Sequence, residues 1–437
     1  MAANIMYSRE FEAMHPEELK QHQLEKLQAM LNRVYRNVAF YRESFDRLGI
    51  DTASIQSLDD LSKLPFTDKD DLLTSYPYGM FAVPLKDVVR LHSTSGTTGK
   101  PIVTGYTKND LAVWSSLIAR ILTACGVTDT DFLQVAFNYN LTTGAFGFHA
   151  GAERLGCSVI PASKEDIKKQ IMVMKDYKTS VLAATPGFAL HAAHILKEEG
   201  IHPDELSLKT GILGAEPWSE RMRREIEKGL GITAYDNYGL TEIIGPGVSF
   251  ECRERKGLHV NEDHFIIEVI DPESGEPLGE GEKGELVFTT LTRHANPLLR
   301  YRTGDIGSIM PGTCSCGRTF RRMDRVSDRL DDMIIMEGVN VFPSQVEDAI
   351  KTVEGIKPNY RILLRREKGM DVMEVQVEVA TSVFSDEGKD LENVRNAIRD
   401  ELITRLGISP KITLVEPKKP APRTGEKRTR VMDLRNS

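Results

Sequence analysis

The sequence predicts an α/β chain: a large N-terminal part on a largely parallel sheet, a β region, and a small α+β unit at the C-terminal end. Three observations carry this expectation. From about residue 90, short apolar runs alternate with longer amphipathic stretches, the pattern of successive βα units. Two apolar runs further on, Phe265–Ile270 and Gly284–Leu291, are separated by Pro and Gly turns and read as antiparallel β. Beyond Asp328–Asp332 a different mixture of strands and helices begins, about a hundred residues long, which is enough for a small domain. The 437 residues exceed one ordinary domain and suit two or three.

In chain order, the first element is a helix. Pro16 suits a first turn, with Glu17 and Glu18 at the positive end of the helix dipole. Leu24, Leu27, Leu31, Val34 and Val38 then recur at helical spacing. The parallel strands are expected at Phe132–Phe137, Ser158–Pro161, Ser180–Ala184, Gly211–Gly214 and Ile232–Tyr235. The C-terminal unit should hold a strand at Met333–Met336, a helix from Pro343 to about Val353, strands Tyr360–Arg365 and Met373–Val379, a helix around Leu391–Leu406 and a last strand Lys411–Val415. A Pro-rich basic tail follows, and no internal repeat is visible.

Composition narrows the function. Hydrophobic content of 40% and charged content of 27% fit a soluble globular protein. The net charge of −8 argues against a protein that coats nucleic acid. No run has the apolar length of a bilayer span, and the first twenty residues lack the apolar core of a signal peptide. A cytoplasmic protein with no nucleic-acid or membrane partner is therefore expected. The odd count of five cysteines argues against a disulfide framework.

The most informative stretch is Ser93-Thr-Ser-Gly-Thr-Thr-Gly-Lys-Pro101. Glycines, hydroxyls and a lysine suit a loop that wraps backbone N–H groups and a cation around phosphate oxygens. It is not the common P-loop, because two residues rather than four separate Gly96 from Gly99 and Pro101 follows Lys100. Further strings follow in order: Gly214-Ala-Glu-Pro217 at the end of an expected strand, Tyr235-Asp-Asn-Tyr-Gly-Leu-Thr-Glu242 after the next, Tyr301-Arg-Thr-Gly-Asp305, and Arg329-Leu-Asp-Asp-Met333. Together they resemble the adenylate-forming superfamily of acyl-CoA ligases. Asn340-Val-Phe-Pro-Ser-Gln-Val-Glu347, the segment Gly144–Leu155 and Gly245-Pro-Gly-Val248 look like the phenylacetate-CoA ligase family within it. The resemblance runs from about residue 7 to 435.

The resemblance implies an adenylate-forming ligase architecture. A large ATP- and acid-binding domain would cover 1–328 and a small mobile C-terminal domain 329–437. It implies an ATP-dependent aryl-CoA ligase that makes an acyl-adenylate, releases pyrophosphate, and passes the acyl group to coenzyme A. It assigns Ser93, Ser95, Gly96, Thr97, Thr98, Gly99 and Lys100 to the triphosphate, and Ala215, Glu216 and Pro217 to an adenine wall. Asp236, Tyr238 and Gly239 would border the adenine site, Asp305 would accept bonds from the ribose hydroxyls, and Arg329 would lie near ribose and phosphate. Thr241 and Glu242 would act at the α-phosphate, with Glu242 holding Mg²⁺. The adenylation lysine would be Lys427, with Lys418 and Lys419 as fallbacks, and Asp331 matches the hinge. Tyr139, Phe146, Phe148, Ala215, Ile243, Gly245 and Pro246 lie in segments that line the aryl pocket in relatives. Relatives are often dimers, so a homodimer is the assembly the resemblance suggests.

Three positions depart from that pattern, and one is Ala150, where relatives commonly have Tyr after the position of His149. The family usually carries Gly directly before the catalytic lysine, whereas this chain has Gly425-Glu426-Lys427, and it has Asp328 where relatives have Gly before the arginine. The same motifs would serve an enzyme that loads a carrier protein or an amine instead of coenzyme A. A second constellation, Cys252, His259, Cys314 and Cys316, offers three sulfurs and one nitrogen, a closed set that suits structural zinc. His149, His191 and His194 show no such spacing.

Overall fold

The structure is a computed structural model, which describes residues 6–94, 100–163, 166–326, 328–330, 334–336, 339–353, 356–367, 370–379, 389–406, 409–416 and 430–434. The chain divides into two compact units, 1–303 with 307–325, and 304–306 with 326–437.

The first long helix of the N-terminal unit spans Pro16–Asn37 and buries Leu27, Leu31 and Val34. The apolar stripe expected there is interrupted: Gln23 is buried while Leu24 is half-buried. The Gln23 amide donates to the Glu262 carbonyl at 2.8 Å, so a polar side chain sits inside because it satisfies a backbone acceptor.

A nine-stranded sheet forms the frame. Its order is Ile309–Met310, Arg322–Met323, Leu258–Val260, Gly245–Glu251, Thr233–Leu240, Thr210–Gly214, Val181–Ala184, Phe132–Val135 and Ser158–Ile160. Pairing is parallel from Thr233–Leu240 through to Ser158–Ile160 and antiparallel on the other side. Val181–Ala184 is buried along its length, as befits a parallel strand with helices on both faces. Phe265–Ile270 and Gly284–Thr290 pair antiparallel in a separate sheet, as expected.

One expectation is corrected. The strand predicted as Ile232–Tyr235 runs from Thr233 to Leu240, so most of the Tyr235–Glu242 string lies in the strand rather than after it. Tyr238-Gly239 is a local turn signal, but Asn237 pairs with Gly214 on one side and Phe250 on the other, and Tyr238 and Gly239 pair with Ser249 and Pro246. Tertiary pairing overrides the local signal. Gly239 is required there: a Cβ would meet the Gly245 carbonyl oxygen at 2.0 Å.

A buried ionic group ties the chain start to this unit. Glu12, Arg120, Asp263 and Arg318 are each at most 2% exposed. Arg318 Nε donates to Glu12 Oε2 at 2.7 Å, and Arg120 binds Asp263 through two bonds of 2.8 and 2.7 Å and lies 3.7 Å from Glu12.

In the C-terminal unit, four strands lie in the order Lys411–Val415, Met370–Val379, Ile356–Glu367 and Val431–Asp433. The central pair is antiparallel and the outer pairs are parallel. Helices Pro343–Lys351 and Lys389–Leu406 bury Val346, Ile350, Ile398 and Leu402 in its core. The basic tail therefore ends in a sheet strand, Val431–Asp433. Among the described residues, no helix is long and apolar enough to cross a membrane.

Candidate active site and metal centre

The described ends of the phosphate-loop string adjoin the two paired strands of a hairpin. Arg90–Ser93 pairs antiparallel with Val103–Tyr106, and Ser93 is buried at the end of its strand. Thr94 closes the base: its N–H donates to the Ile102 carbonyl and its Oγ1 accepts from Ile102 N–H, both at 3.0 Å. Ser95, Gly96, Thr97, Thr98 and Gly99 lie outside the described residues, as do Asp331 and Lys427. Lys100 is exposed, with Nζ 5.3 Å from the centre of the Tyr76 ring.

Glu242 reaches the same hairpin. With Leu72, Ile102, Val103, Thr104 and Asn296 it lines a small cavity, and Thr241 Oγ1 lies 3.1 Å from Thr143 Oγ1. The structure thus brings Glu242 beside the strand that follows the phosphate-loop string, although about 140 residues separate them in sequence.

Ala215 and Pro217 are exposed just beyond the C-terminal end of Thr210–Gly214, where ligands bind in open parallel sheets. Ala215 holds φ at +69°, a left-handed conformation unusual for a residue with a Cβ. The Glu216 carboxylate accepts from Gly187 N–H at 2.6 Å, at the positive end of helix Pro186–Glu198.

Asp236 is buried, and its environment is charged. Its N–H donates to Glu251, whose carboxylate is held by Arg223 at 2.8 and 2.7 Å. Arg325 lies 3.3 Å from both acids and packs over the Trp218 ring. Burial, and then the neighbouring Glu251 charge, push the Asp236 carboxyl up to about 8. Tyr238 packs near Phe288, with ring centres 6.0 Å apart. In the C-terminal unit, Arg329 Nη1 binds the buried Asp305 carboxylate at 2.8 Å, and Ser344 donates to Asp328.

The residues expected around the acid gather at an aromatic wall. Tyr139 meets Phe146 edge-on at 5.3 Å, and Phe146 lies 5.2 Å from the His92 ring. Trp114 donates to the Pro246 carbonyl at 2.8 Å and Tyr106 to the Ile244 carbonyl at 2.9 Å, which pins the segment carrying Ile243, Gly245 and Pro246. Gly245 has φ of +97°, and a Cβ there would lie 2.7–2.9 Å from Thr143 and Trp114. Phe148 is instead buried against Phe137. Sequence reasoning missed His92, Trp114 and Tyr106 because they sit in ordinary strand and helix patterns. It also passed over His149, which bonds Tyr139 Oη at 2.9 Å and Glu153 at 3.1 Å.

Elsewhere in the N-terminal unit, the thiols and imidazole of Cys252, His259, Cys314 and Cys316 lie within 4.8 Å of one another. Cys252 and Cys314 sulfurs are 3.8 Å apart, and Cys316 Sγ is 3.4 Å from His259 Nε2. A tetrahedron with ~2.3 Å metal–sulfur arms has edges of roughly 3.8 Å, so these spacings fit one shared ion. His259 Nδ1 lies 3.1 Å from the Phe320 carbonyl, which fixes the tautomer and leaves Nε2 toward the sulfurs.

With this geometry in place, comparison with known proteins is direct. An AMP-binding enzyme family model matches residues 15–291, and an AMP-binding enzyme C-terminal domain model matches 338–435. A phenylacetate-coenzyme A ligase of Thermus thermophilus is 45% identical, over 99% of this chain and all of that one. The chain belongs to the phenylacetate-coenzyme A ligase family of AMP-binding enzymes. A family member from Escherichia coli is 44% identical over 96% of each chain. A solved structure of 2-hydroxyisobutyryl-CoA ligase, in the postadenylation state with 2-HIB-AMP, superposes with a TM-score of 0.86 at 28% identity, covering 97% of this chain and 91% of that one. Membership in this ligase family accounts for the parallel sheet, the separate C-terminal unit and the order of the strings in one architecture.

Proposed function

We propose that the chain joins an aryl acid of the phenylacetate type to coenzyme A, with ATP converted to AMP and pyrophosphate. The observation that carries this reading is the placement of Glu242 against Ile102, Val103 and Thr104, beside the phosphate-loop string, together with an aromatic wall of Tyr139 and Phe146 that meets His92 of the same hairpin. In the first step a carboxylate oxygen of the acid bonds to the α-phosphorus and pyrophosphate leaves. In the second the coenzyme A thiolate bonds to the acyl carbon and AMP leaves. Both reactants of the first step are anions, so cations must offset their repulsion. Lys100 and Lys427 take that part here. Glu242 is the carboxylate that would hold Mg²⁺, an ion that suits one carboxylate plus phosphate oxygens.

Pyrophosphate release that depends on phenylacetate, with matching consumption of coenzyme A, tests the reading. Absence of release with any aryl acid rejects it. Transfer to pantetheine or a carrier protein, with coenzyme A inert, would favour the carrier-loading alternative. Asp305 is proposed to accept hydrogen bonds from ribose. Asp305→Ala should raise the KM for ATP about tenfold or more, the scale of a lost charged hydrogen bond. An unchanged KM would reject the assignment.

The Cys252, His259, Cys314 and Cys316 group is proposed as a structural zinc site. Its four donors would fill the coordination sphere, which leaves no position for substrate and argues for a role in stability. Freshly purified protein should contain about one zinc per chain. Cys314→Ser should lower zinc content and thermal stability while adenylation at permissive temperature changes less. Zinc-free wild-type protein would sink this assignment.

A further inference from the structure

His92 sits at the junction of the phosphate-loop hairpin and the aromatic wall, and it is 3% exposed. Its ring meets Tyr106 at 5.4 Å, Trp114 at 5.9 Å and Phe146 at 5.2 Å. Nδ1 lies 3.0 Å from the Leu141 carbonyl. A carbonyl oxygen only accepts, so Nδ1 carries the proton and donates. Nε2 is then a bare lone pair, buried and without a hydrogen-bond partner. The other buried polar atoms in that condition among the described residues are nitrogens of arginines and of Trp218, all donors, which makes His92 Nε2 the one acceptor. Burial lowers the His92 pKa, which keeps the ring neutral. The Tyr139 hydroxyl, a polar group of the same wall, is engaged with His149.

We propose that His92 Nε2 is a hydrogen-bond acceptor in the aryl-acid site and selects acids that carry a donor on the ring, such as a phenolic hydroxyl or an indole N–H. The proposal rests on the reading of Tyr139, Phe146 and Gly245 as the acid pocket. It narrows the substrate class within that reading. A buried acceptor left unpaired by plain phenylacetate penalises that acid, whereas an acid with a correctly placed donor satisfies it. The acceptor acts on binding of the ring, remote from the carboxylate, so it sets which acid reacts rather than how.

The test compares kcat/KM of the full-length wild type for phenylacetate, the three hydroxyphenylacetate isomers and indoleacetate, read as pyrophosphate release. At least one donor-bearing acid should exceed phenylacetate by roughly tenfold or more. His92→Phe should erase or invert that preference, with kcat/KM rising for phenylacetate as the unmet acceptor is removed and falling for the donor-bearing acid. Pyrophosphate with phenylacetate but no preference for any donor-bearing acid overturns the proposal and leaves the ligase reading intact, since a bound water then satisfies Nε2. Equal loss for all acids in His92→Phe, in protein with a wild-type thermal transition, also overturns it. If the variant does not fold, the wild-type ratios decide. No pyrophosphate with any aryl acid removes the ligase reading and this proposal with it.

Discussion

Lys427→Ala is expected to slow acyl-adenylate formation by about 10²–10³-fold, the scale of removing one group that stabilises charge developing in the transition state. An ammonium on a flexible stem can bridge the incoming carboxylate and the α-phosphate, and no neutral side chain replaces it. Thioester formation from supplied acyl-adenylate should survive, because that half-reaction joins a thiolate to an already activated carbonyl. Isotope exchange between pyrophosphate and ATP measures the first step, and thiol consumption with added acyl-adenylate measures the second. Equal loss in both would remove Lys427 from its proposed role. Loss of exchange in Lys418→Ala or Lys419→Ala with Lys427→Ala active would move the role along the tail. This is where the order Gly425-Glu426-Lys427 matters, since the glycine stands one residue further from the lysine than in relatives.

Glu12→Ala should destabilise the N-terminal unit by about 3–5 kcal/mol, the cost of leaving a buried charge without its partner. Two guanidiniums depend on this carboxylate, Arg318 at 2.7 Å and Arg120 at 3.7 Å, and none of the three reaches solvent appreciably. Asp263 retains Arg120, so Arg318 bears most of the loss. Arg318 follows Cys316 by two residues, so the same change should also loosen the proposed zinc centre. Denaturant unfolding with an unchanged midpoint would refute the expectation. A double variant, Glu12→Ala with Arg318→Met, should recover part of the loss by removing the buried guanidinium that has lost Glu12.

The two results draw on different kinds of information. Lys427 was legible as a residue in a string, and its role follows from the resemblance. Glu12 carries no sequence signal: it is one acidic residue in a short helix, Arg9–Glu12, and only the fold shows that it is buried against Arg318. The strand and helix pattern of the sheet was readable because periodicity reports which face is buried. Local rules ended the strand at Tyr235, whereas Asn237 pairs with both neighbouring strands and Tyr238 and Gly239 with one of them. The metal set was readable as residue types, yet spacing could not say that residues 252–259 and 314–316 meet.

What the sequence determined by itself was the family, the order of its parts and the chemical types at the phosphate loop, because those depend on local strings and on periodicity. What only the tertiary structure decided was proximity and burial. It brought Glu242 to the cavity beside Ile102 and Thr104, closed the Cys and His donors to within 4.8 Å, and enclosed His92 with an acceptor unmet. The physical reason is that a string fixes what a side chain can donate, accept or ligate. Its partner, and whether water can reach it, are set by chain segments tens to hundreds of residues away.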